Sequence, residues 1–358
     1  MSIKRCVICA LPDTYPGVKF DGDGICNYCA YHDMYKEREK RLKNLLRRGF
    51  INVIKETKKA SKGKKHDCVI AYSGGKDSTF LLLFLKKRFN LRILAHTLDN
   101  GFTSKKAMEN IRKITKKLGV DHKFTRPKFE VIKDVFSSAL KGEIPYSKDI
   151  RAMLSPVCAA CLGMVCGTTL NLCIKLKIPL MFIGFTPGQY PAISLENFLK
   201  SNSCLFLSDK IYKDDPLDVV KMLRDPIDER FGEKAGKYFF KSQYIEKGLK
   251  VPRILLPYHN FIDYDEKRIL MEISKIGWEK PSDTDPCSTN CLLNTLGNYS
   301  CMKQFGYHPY IGEMSLMVRR GKMSRIDAIK AEQTDDNSFA MRDSLSLLGI
   351  KKIDLEKK

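Results

Sequence analysis

The feature that most constrains this chain is residues 73–78, Ser-Gly-Gly-Lys-Asp-Ser, which follow an apolar run at residues 68–72 directly. We call residues 73–78 the glycine-rich loop. The apolar run predicts a buried strand, and residues 78–87 predict a helix. Glycines let a backbone approach a ligand closely, and a helix start offers unpaired N–H groups and a favourable dipole to a phosphate. This order of strand, turn and helix therefore predicts a nucleotide phosphate site.

The side chains of the glycine-rich loop suit the same ligand. Lys76 supplies a mobile positive charge. Asp77 and Ser78 are residue types that cap a helix start, and the carboxylate of Asp77 is also suited to a Mg²⁺ ion bridging polyphosphate oxygens. The spacing differs from the Walker pattern, in which a longer loop precedes Gly-Lys-Ser/Thr.

The hexapeptide resembles the signature of the PP-loop ATP pyrophosphatases, also called adenine-nucleotide alpha hydrolases, over roughly residues 66–185. The resemblance implies a five-stranded parallel sheet, cleavage of ATP between its α and β phosphates, and a substrate activated as an adenylate. A nucleophile then displaces AMP. It implies that the loop holds pyrophosphate, with Thr97 and Asp99 beside adenine and ribose and Gly184 near the α-phosphate. The implied ATP-binding residues are Ser73, Gly74, Gly75, Lys76, Asp77, Ser78, Thr97, Asp99 and Gly184.

The length of 358 residues predicts two or three domains, and the alternation of apolar strands with amphipathic helices predicts an α/β, Rossmann-like parallel sheet. We expect a zinc-ribbon module at residues 1–33, a basic helical connector at 34–65, the PP-loop domain at 66–260 and a mainly helical region at 261–358. Residues 201–248 read as an insertion with charged helices. The predicted strands are residues 68–72, 92–98, 122–125 and 179–185, and the predicted helices include residues 78–87, 104–118, 129–140 and 265–276.

Two Cys-x-x-Cys pairs, Cys6/Cys9 and Cys26/Cys29, are separated by 16 residues near the N-terminus. Each pair presents two thiolates on one turn, and two such turns complete the tetrahedron of a structural zinc site. Metal binding would stabilise a segment that is too short for a hydrophobic core of its own. His32 lies close by in sequence but is interpreted as a surface residue.

A second group of cysteines consists of Cys158 and Cys161, with Cys287 and Cys291 far downstream. If they meet beside the glycine-rich loop, they form a thiolate site for zinc or an iron–sulfur cluster. Three ligands on a 4Fe-4S cluster would leave one iron open. We favour Cys291 over Cys287 as the third ligand, although these two could instead be a redox or persulfide pair. The remaining cysteines are interpreted as core or incidental residues, namely Cys68, Cys166, Cys173, Cys204 and Cys301.

Composition adds limits on compartment and partners. The 13 cysteines without a secretory signal favour reduced thiols and a cytoplasmic protein, and no apolar stretch is long enough for a membrane span. The net charge is +22, and residues 36–65 hold 13 Lys and Arg against three Glu. This basic segment is interleaved with leucines rather than with aromatic residues, so we interpret it mainly as a solvated connector. Binding to tRNA remains an alternative that we do not favour.

Two branches of the PP-loop family share such an N-terminal module. Cluster-dependent sulfurtransferases thiolate tRNA bases, and the chain is similar to them at Cys158, Cys161 and one of Cys287 and Cys291. N-acetyl sugar amidotransferases of surface-polysaccharide synthesis are similar at residues 5–17 (Arg-Cys-Val-Ile-Cys-Ala-Leu-Pro-Asp-Thr-Tyr-Pro-Gly) and at residues 321–325 (Gly-Lys-Met-Ser-Arg). The chain lacks the second, C-terminal zinc ribbon of the tRNA enzymes.

Three hypotheses follow for the function. The first is ATP-dependent sulfur transfer to a carbonyl carbon, in which Lys76, Asp77, Cys158, Cys161 and Cys291 would be the catalytic residues. The second is amidation of an N-acetyl sugar, in which a partner protein would supply ammonia. In the first hypothesis a partner protein could likewise supply the sulfur. The third is a zinc-ribbon nucleic-acid-binding protein. In the first two hypotheses the substrate is a small molecule or a nucleotide. The sequence leaves the oligomeric state open, and a homodimer is one of the alternatives.

Overall fold

The computed structural model describes residues 3–186, 209–241, 243–285, 287–333 and 337–356. Five parallel strands form one sheet in the order β3-β2-β1-β4-β5. The strands are Cys68–Ala71 (β1), Ile93–Leu98 (β2), Asp121–Thr125 (β3), Leu180–Phe182 (β4) and Arg253–Leu255 (β5). The α/β fold with a parallel sheet is thus confirmed, and all four predicted strands are present, the fourth shorter than expected. The direction of strand order changes between β1 and β4, which is where open α/β sheets bind ligands.

Helices connect and cover the strands. The first seven are Asn27–Ala30 (α1), His32–Ala60 (α2), Lys76–Phe89 (α3), Lys105–Leu118 (α4), Phe129–Leu140 (α5), Lys148–Arg151 (α6) and Pro156–Lys175 (α7). The next five are Asp209–Phe231 (α8), Glu233–Gly236 (α9), Gln243–Glu246 (α10), Pro257–Asn260 (α11) and Glu266–Ser274 (α12). The last four are Asn294–Phe305 (α13), Ile311–Arg319 (α14), Arg325–Lys330 (α15) and Phe339–Leu348 (α16), followed by a 3₁₀ turn at Lys352–Leu355. The C-terminal region is therefore mainly helical, as predicted. Of the expected insertion, residues 201–208, which include Cys204, and residue 242 lie outside the described residues.

The central strands β1 and β4 are buried on both faces of the sheet, and their successive side chains point to opposite faces. Val69 and Met181 lie in the core cluster that contains α5 and α7. Ile70 and Phe182 lie in the cluster on the other face, which contains α3 and part of α2. Burying each such side chain contributes about 1.5–3 kcal/mol. This two-sided burial explains why the strands read as continuous apolar runs in the sequence.

Helix α2 is more than a solvated connector. Phe50, Val53 and Ile54 on one face of the helix are buried in the sheet's second core cluster. Arg47 on the exposed side pairs with Asp263 at 2.9 Å. The basic side chains that the structure describes therefore lie opposite the apolar face of α2, which packs on the sheet.

Helix α7 is the most apolar segment of the described residues. By length and composition it could span a membrane, but 61% of its most apolar window is buried inside the protein. Cys166 and Cys173 are buried in its core contacts, as the sequence predicts. The burial identifies α7 as a central helix of the α/β core.

The N-terminal cysteine module, residues 3–31, packs against the C-terminal helices. Its buried residues share one cluster with Tyr307, Ile311 and Met314. Arg5 forms an ion pair with the buried Glu332 at 2.6 Å. The two ends of the chain therefore form one structural unit beside the sheet.

Candidate active site

The glycine-rich loop turns sharply between β1 and α3. Gly74 has a φ of 75°, a conformation that glycine adopts without steric cost. The Ser73 N–H donates to Ser78 Oγ at 3.3 Å. Helix α3 begins at Lys76 with Gly75 as its N-cap and without a side-chain cap. The expected capping by Asp77 and Ser78 was therefore wrong, because both residues lie inside the first turn of the helix.

Lys76 and Asp77 belong to a polar network that the sequence did not indicate. Lys76 Nζ contacts Asp77 Oδ2 at 2.9 Å and donates to the Tyr264 hydroxyl at 2.9 Å. Tyr264 in turn donates to Asp77 Oδ1 at 3.1 Å. Burial raises the pKa of Asp77, against the opposing effect of Lys76. Burial also lowers the pKa of Lys76, but Asp77 and Glu266 outweigh it, so its pKa is raised. Lys76 thus stays charged where a phosphate would bind.

A turn from the C-terminal region, residues 287–291, lies against the glycine-rich loop. Thr289 Oγ1 accepts a hydrogen bond from the Lys76 N–H at 3.0 Å. The Asn290 carbonyl accepts one from the Ser104 N–H at 2.9 Å, which fixes the turn to the start of α4. Trp278 Nε1 donates to the Gly74 carbonyl at 2.9 Å. The loop is therefore held in shape by residues some 200 positions downstream, which no local pattern identifies.

Glu313 on α14 is a further carboxylate at this site. Its Oε1 accepts a hydrogen bond from the Thr186 hydroxyl at 3.0 Å, just beyond the end of β4. Burial raises the pKa of Glu313 to about 7, Lys76 opposes this, and Asp77 and Glu266 add to it. A carboxylate with such a pKa is suited to exchanging protons near neutral pH.

The structure brings three of the four candidate cysteines together. Cys158 and Cys161 lie on the first turns of α7, whose N-cap is Ser155, rather than on a tight turn. Cys291 pairs with Thr103 in an isolated β-bridge. Burial raises the pKa of Cys291, and the neighbouring Cys161 and Cys158 raise it further. Asn100 donates to Cys161 Sγ at 3.2 Å, so the three thiols stand beside the end of β2.

Cys287 lies apart from this group. Burial raises its pKa to about 12, with further increases from Asp285 and Glu313 and an opposing effect of Lys76. Cys287 packs against the cluster of the N-terminal cysteine module, whereas Cys158, Cys161 and Cys291 pack against the core cluster that contains α7.

The remaining predicted ATP residues lie at the ends of strands. Thr97 is buried, and its hydroxyl donates to the Tyr72 carbonyl at 2.6 Å, so its side chain already has a partner. Asp99 pairs with the exposed Arg126 at 2.8 Å. A Cβ at Gly184 would stand 3.5 Å from Cα of Ser78, so Gly184 lies against the start of α3.

The four N-terminal cysteines form a tetrahedral set of sulfurs. Cys6 Sγ lies 3.8 Å from Cys29 Sγ, and Cys9 Sγ lies 3.6 Å from Cys26 Sγ. A zinc ion with Zn–S bonds of about 2.3 Å requires S···S separations of about 3.8 Å. All four sulfurs lie within 4.8 Å of one another, and His32 is not among the grouped ligands. Hydrogen bonds from Cys26 and Cys29 lower the pKa of Cys9, which favours the thiolate that a metal binds.

Comparison with known proteins gives a partial match to one family model. Residues 67–153 match the model described as queuosine biosynthesis protein QueC. Uncharacterized protein MJ1599 of Methanocaldococcus jannaschii is 24% identical over 328 residues, which cover 91% of this chain and 92% of that protein.

Two solved structures are similar at low identity. The U34-tRNA thiolase NcsA from Methanococcus maripaludis, with its 4Fe-4S cluster, is 16% identical with a TM-score of 0.36, covering 95% of this chain and 92% of that one. A predicted subunit of tRNA methyltransferase from Methanocaldococcus jannaschii is 13% identical with a TM-score of 0.31. The match covers 68% of this chain and 91% of that one. Similarities this distant carry no argument about activity.

Proposed function

Because the chain belongs to the PP-loop ATP pyrophosphatase superfamily, we propose that it adenylates a carbonyl-type substrate with ATP and then transfers sulfur to the activated carbon, releasing AMP and pyrophosphate. The observation that carries the sulfur assignment is that Cys158, Cys161 and Cys291 pack against one core cluster, with Cys291 two residues after the Thr289 that accepts from the Lys76 N–H. Three thiols at that position are not required for ATP binding, so they are available for the second half of the reaction.

The loop residues perform the first half of this reaction. The positive end of the α3 helix dipole would hold the β and γ phosphates beside the glycine-rich loop, and the Lys76 ammonium would neutralise their charge. Asp77 would hold Mg²⁺ on the same phosphates once Lys76 turns from the carboxylate to the nucleotide. Tyr264 and Thr289 keep Lys76 and its backbone in place.

The cysteine site fits an iron–sulfur cluster in its donor set. Cys158, Cys161 and Cys291 would hold the cluster, since thiolates are the ligands that iron–sulfur clusters select. Bound by three thiolates, a 4Fe-4S cluster supplies one iron without a protein ligand, at which an exogenous sulfide can be held. Cys287 is left out of this set because it packs against a different core cluster from Cys158, Cys161 and Cys291.

Amidation of an N-acetyl sugar is the second candidate, and one contact favours it. The two segments that resemble the sugar amidotransferases, residues 5–17 and 321–325, meet in the structure. Arg325 Nε donates to the Cys6 carbonyl at 3.0 Å, although the two residues are 319 positions apart. Ammonia would then replace sulfide as the nucleophile, and the second cysteine group would be structural.

Metal analysis of protein purified without oxygen separates the two candidates. Sulfur transfer predicts iron and acid-labile sulfide in equal amounts, together with one zinc per chain at the N-terminal cysteines. Formation of AMP should then depend on added sulfide rather than on ammonium. Zinc alone after anaerobic reconstitution, with formation of AMP that depends on ammonium, would overturn sulfur transfer in favour of amidation.

A further inference from the structure

Helix α14 contacts both the N-terminal cysteine module and Thr186, which lies just beyond the end of β4. A Cβ at Gly312 would stand 2.3 Å from the hydroxyl of Tyr15, so the helix touches the module without a side chain between them. The Ser315 hydroxyl donates to the carbonyl of Cys9 at 2.7 Å. Glu313, between these two contacts in sequence, accepts its hydrogen bond from Thr186 at the nucleotide site. One short helix therefore carries both sets of contacts.

The module itself is fixed by further contacts, so α14 cannot shift freely against it. The Tyr15 hydroxyl donates to the Ala152 carbonyl at 2.5 Å. Arg5 is paired with Glu332, and Arg325 binds the Cys6 carbonyl. A change in the cysteine module is therefore transmitted to α14.

The position of Glu313 affects the charge around Lys76. Ionised Glu313 adds a negative charge beside the triphosphate site, where Lys76 is the cation of the loop. Its neighbours on the surrounding elements include two further carboxylates, two phenols, a thiol and the lysine. These titratable groups are Lys76, Asp77, Glu266, Tyr264, Tyr310 and Cys287.

We propose that the N-terminal cysteine module is a structural part of the nucleotide site, because its contacts with Gly312 and Ser315 position Glu313 beside Lys76. Gly312, Ser315 and Tyr15 are thus positioning residues for nucleotide binding. This inference rests on the nucleotide site of the proposed function but needs neither sulfur transfer nor a known acceptor.

Isothermal titration with Mg·ATP tests the role of Glu313 first. Replacing the carboxylate in Glu313→Gln removes a negative charge near the triphosphate, so the affinity should rise roughly fivefold or more at pH 8. The difference should shrink at pH 6, where Glu313 is largely protonated. An unchanged or weaker affinity at pH 8 would overturn the inference.

A double-mutant cycle then tests the coupling to the module. Gly312→Val places a side chain against Tyr15, and the milder Ser315→Ala removes the bond to Cys9. Each should change the Mg·ATP affinity in wild-type protein, Gly312→Val in the same direction as Glu313→Gln. Each should have no further effect in the Glu313→Gln background. Equal effects in both backgrounds would show that the module acts independently of Glu313, and the proposal would fall.

Controls separate this result from misfolding and from failure of the proposed function. Ile326→Ala, at a side chain that is 63% exposed on α15, should leave the affinity unchanged. Zinc content and the thermal transition of each variant report whether the module is intact. If the wild-type protein binds no Mg·ATP, both the proposed function and this inference are refuted. If the wild-type protein binds Mg·ATP but the effects of the substitutions on affinity are additive, only this inference is refuted.

Discussion

Gly74 is the residue at which the loop is least tolerant of substitution. Gly74→Ala would place an alanine in the left-handed region at a φ of 75°, which costs roughly 1–2 kcal/mol. Its Cβ would stand 2.7 Å from the Ala107 carbonyl oxygen and 2.7 Å from Cγ1 of Ile111, both on α4. Relieving such overpacking costs about 1–3 kcal/mol. We therefore expect the variant to lose about 2–5 kcal/mol of unfolding free energy, a large share of a typical total.

Gly119→Ala is the matched control for this prediction. Gly119 has a φ of 58°, but no atom lies within 4 Å of a Cβ built there. The Gly119→Ala variant should therefore lose only the unfolding free energy that the left-handed backbone conformation costs an alanine, roughly 1–2 kcal/mol. Urea unfolding followed by the fluorescence of Trp278 is a suitable assay, because this is the chain's only tryptophan and it donates to the Gly74 carbonyl. If Gly74→Ala is no less stable than Gly119→Ala, the packing argument is refuted.

Three further predictions concern charges and thiols. Asp77→Ala should lower the formation of AMP by about two orders of magnitude or more, as loss of a key charge-stabilising group does; product analysis that finds ADP instead of AMP would contradict the loop assignment. Cys9→Ser should lose one equivalent of zinc and destabilise the N-terminal module, and full zinc content would count against the tetrathiolate site. The pKa of Glu313 rises from 4.5 to about 7 on folding, so the folded state binds the extra proton between these values. Relative to Glu313→Gln, wild-type unfolding free energy should therefore fall as the pH rises from 4.5 to 7, and parallel pH profiles in urea unfolding would disprove this.

Local patterns were sufficient for the parts of the site that are contiguous in sequence. The glycine-rich loop follows β1 directly, and each Cys-x-x-Cys pair places two thiols on one turn. The spacing of these residues was therefore enough to predict both features. The fifth strand, Arg253–Leu255, has only three residues, too few for a periodic signal, and only the family resemblance implied it.

The residues that sequence analysis missed act through tertiary contacts. Tyr264, Trp278, Thr289 and Glu313 reach the loop from 186 or more positions away, and none stands in a recognisable motif. A Trp or Tyr in a helical region is usually a core residue, so its hydrogen bond to the loop becomes visible only in the folded chain. The role of Thr97 beside adenine, which the family resemblance implied, stays a prediction; its hydroxyl donates to the Tyr72 carbonyl.

The most direct test of the central claim compares two single variants that differ only in which cysteine of one turn is lost. Cys291→Ala and Cys287→Ala are purified without oxygen, reconstituted with iron and sulfide, and analysed for bound iron and for the visible absorption of a cluster. Cys291 packs against the same core cluster as Cys158 and Cys161, whereas Cys287 packs against the cluster of the N-terminal cysteine module. The account predicts loss of the cluster in Cys291→Ala and near wild-type iron in Cys287→Ala. The reverse pattern, or equal iron in both variants, would contradict it.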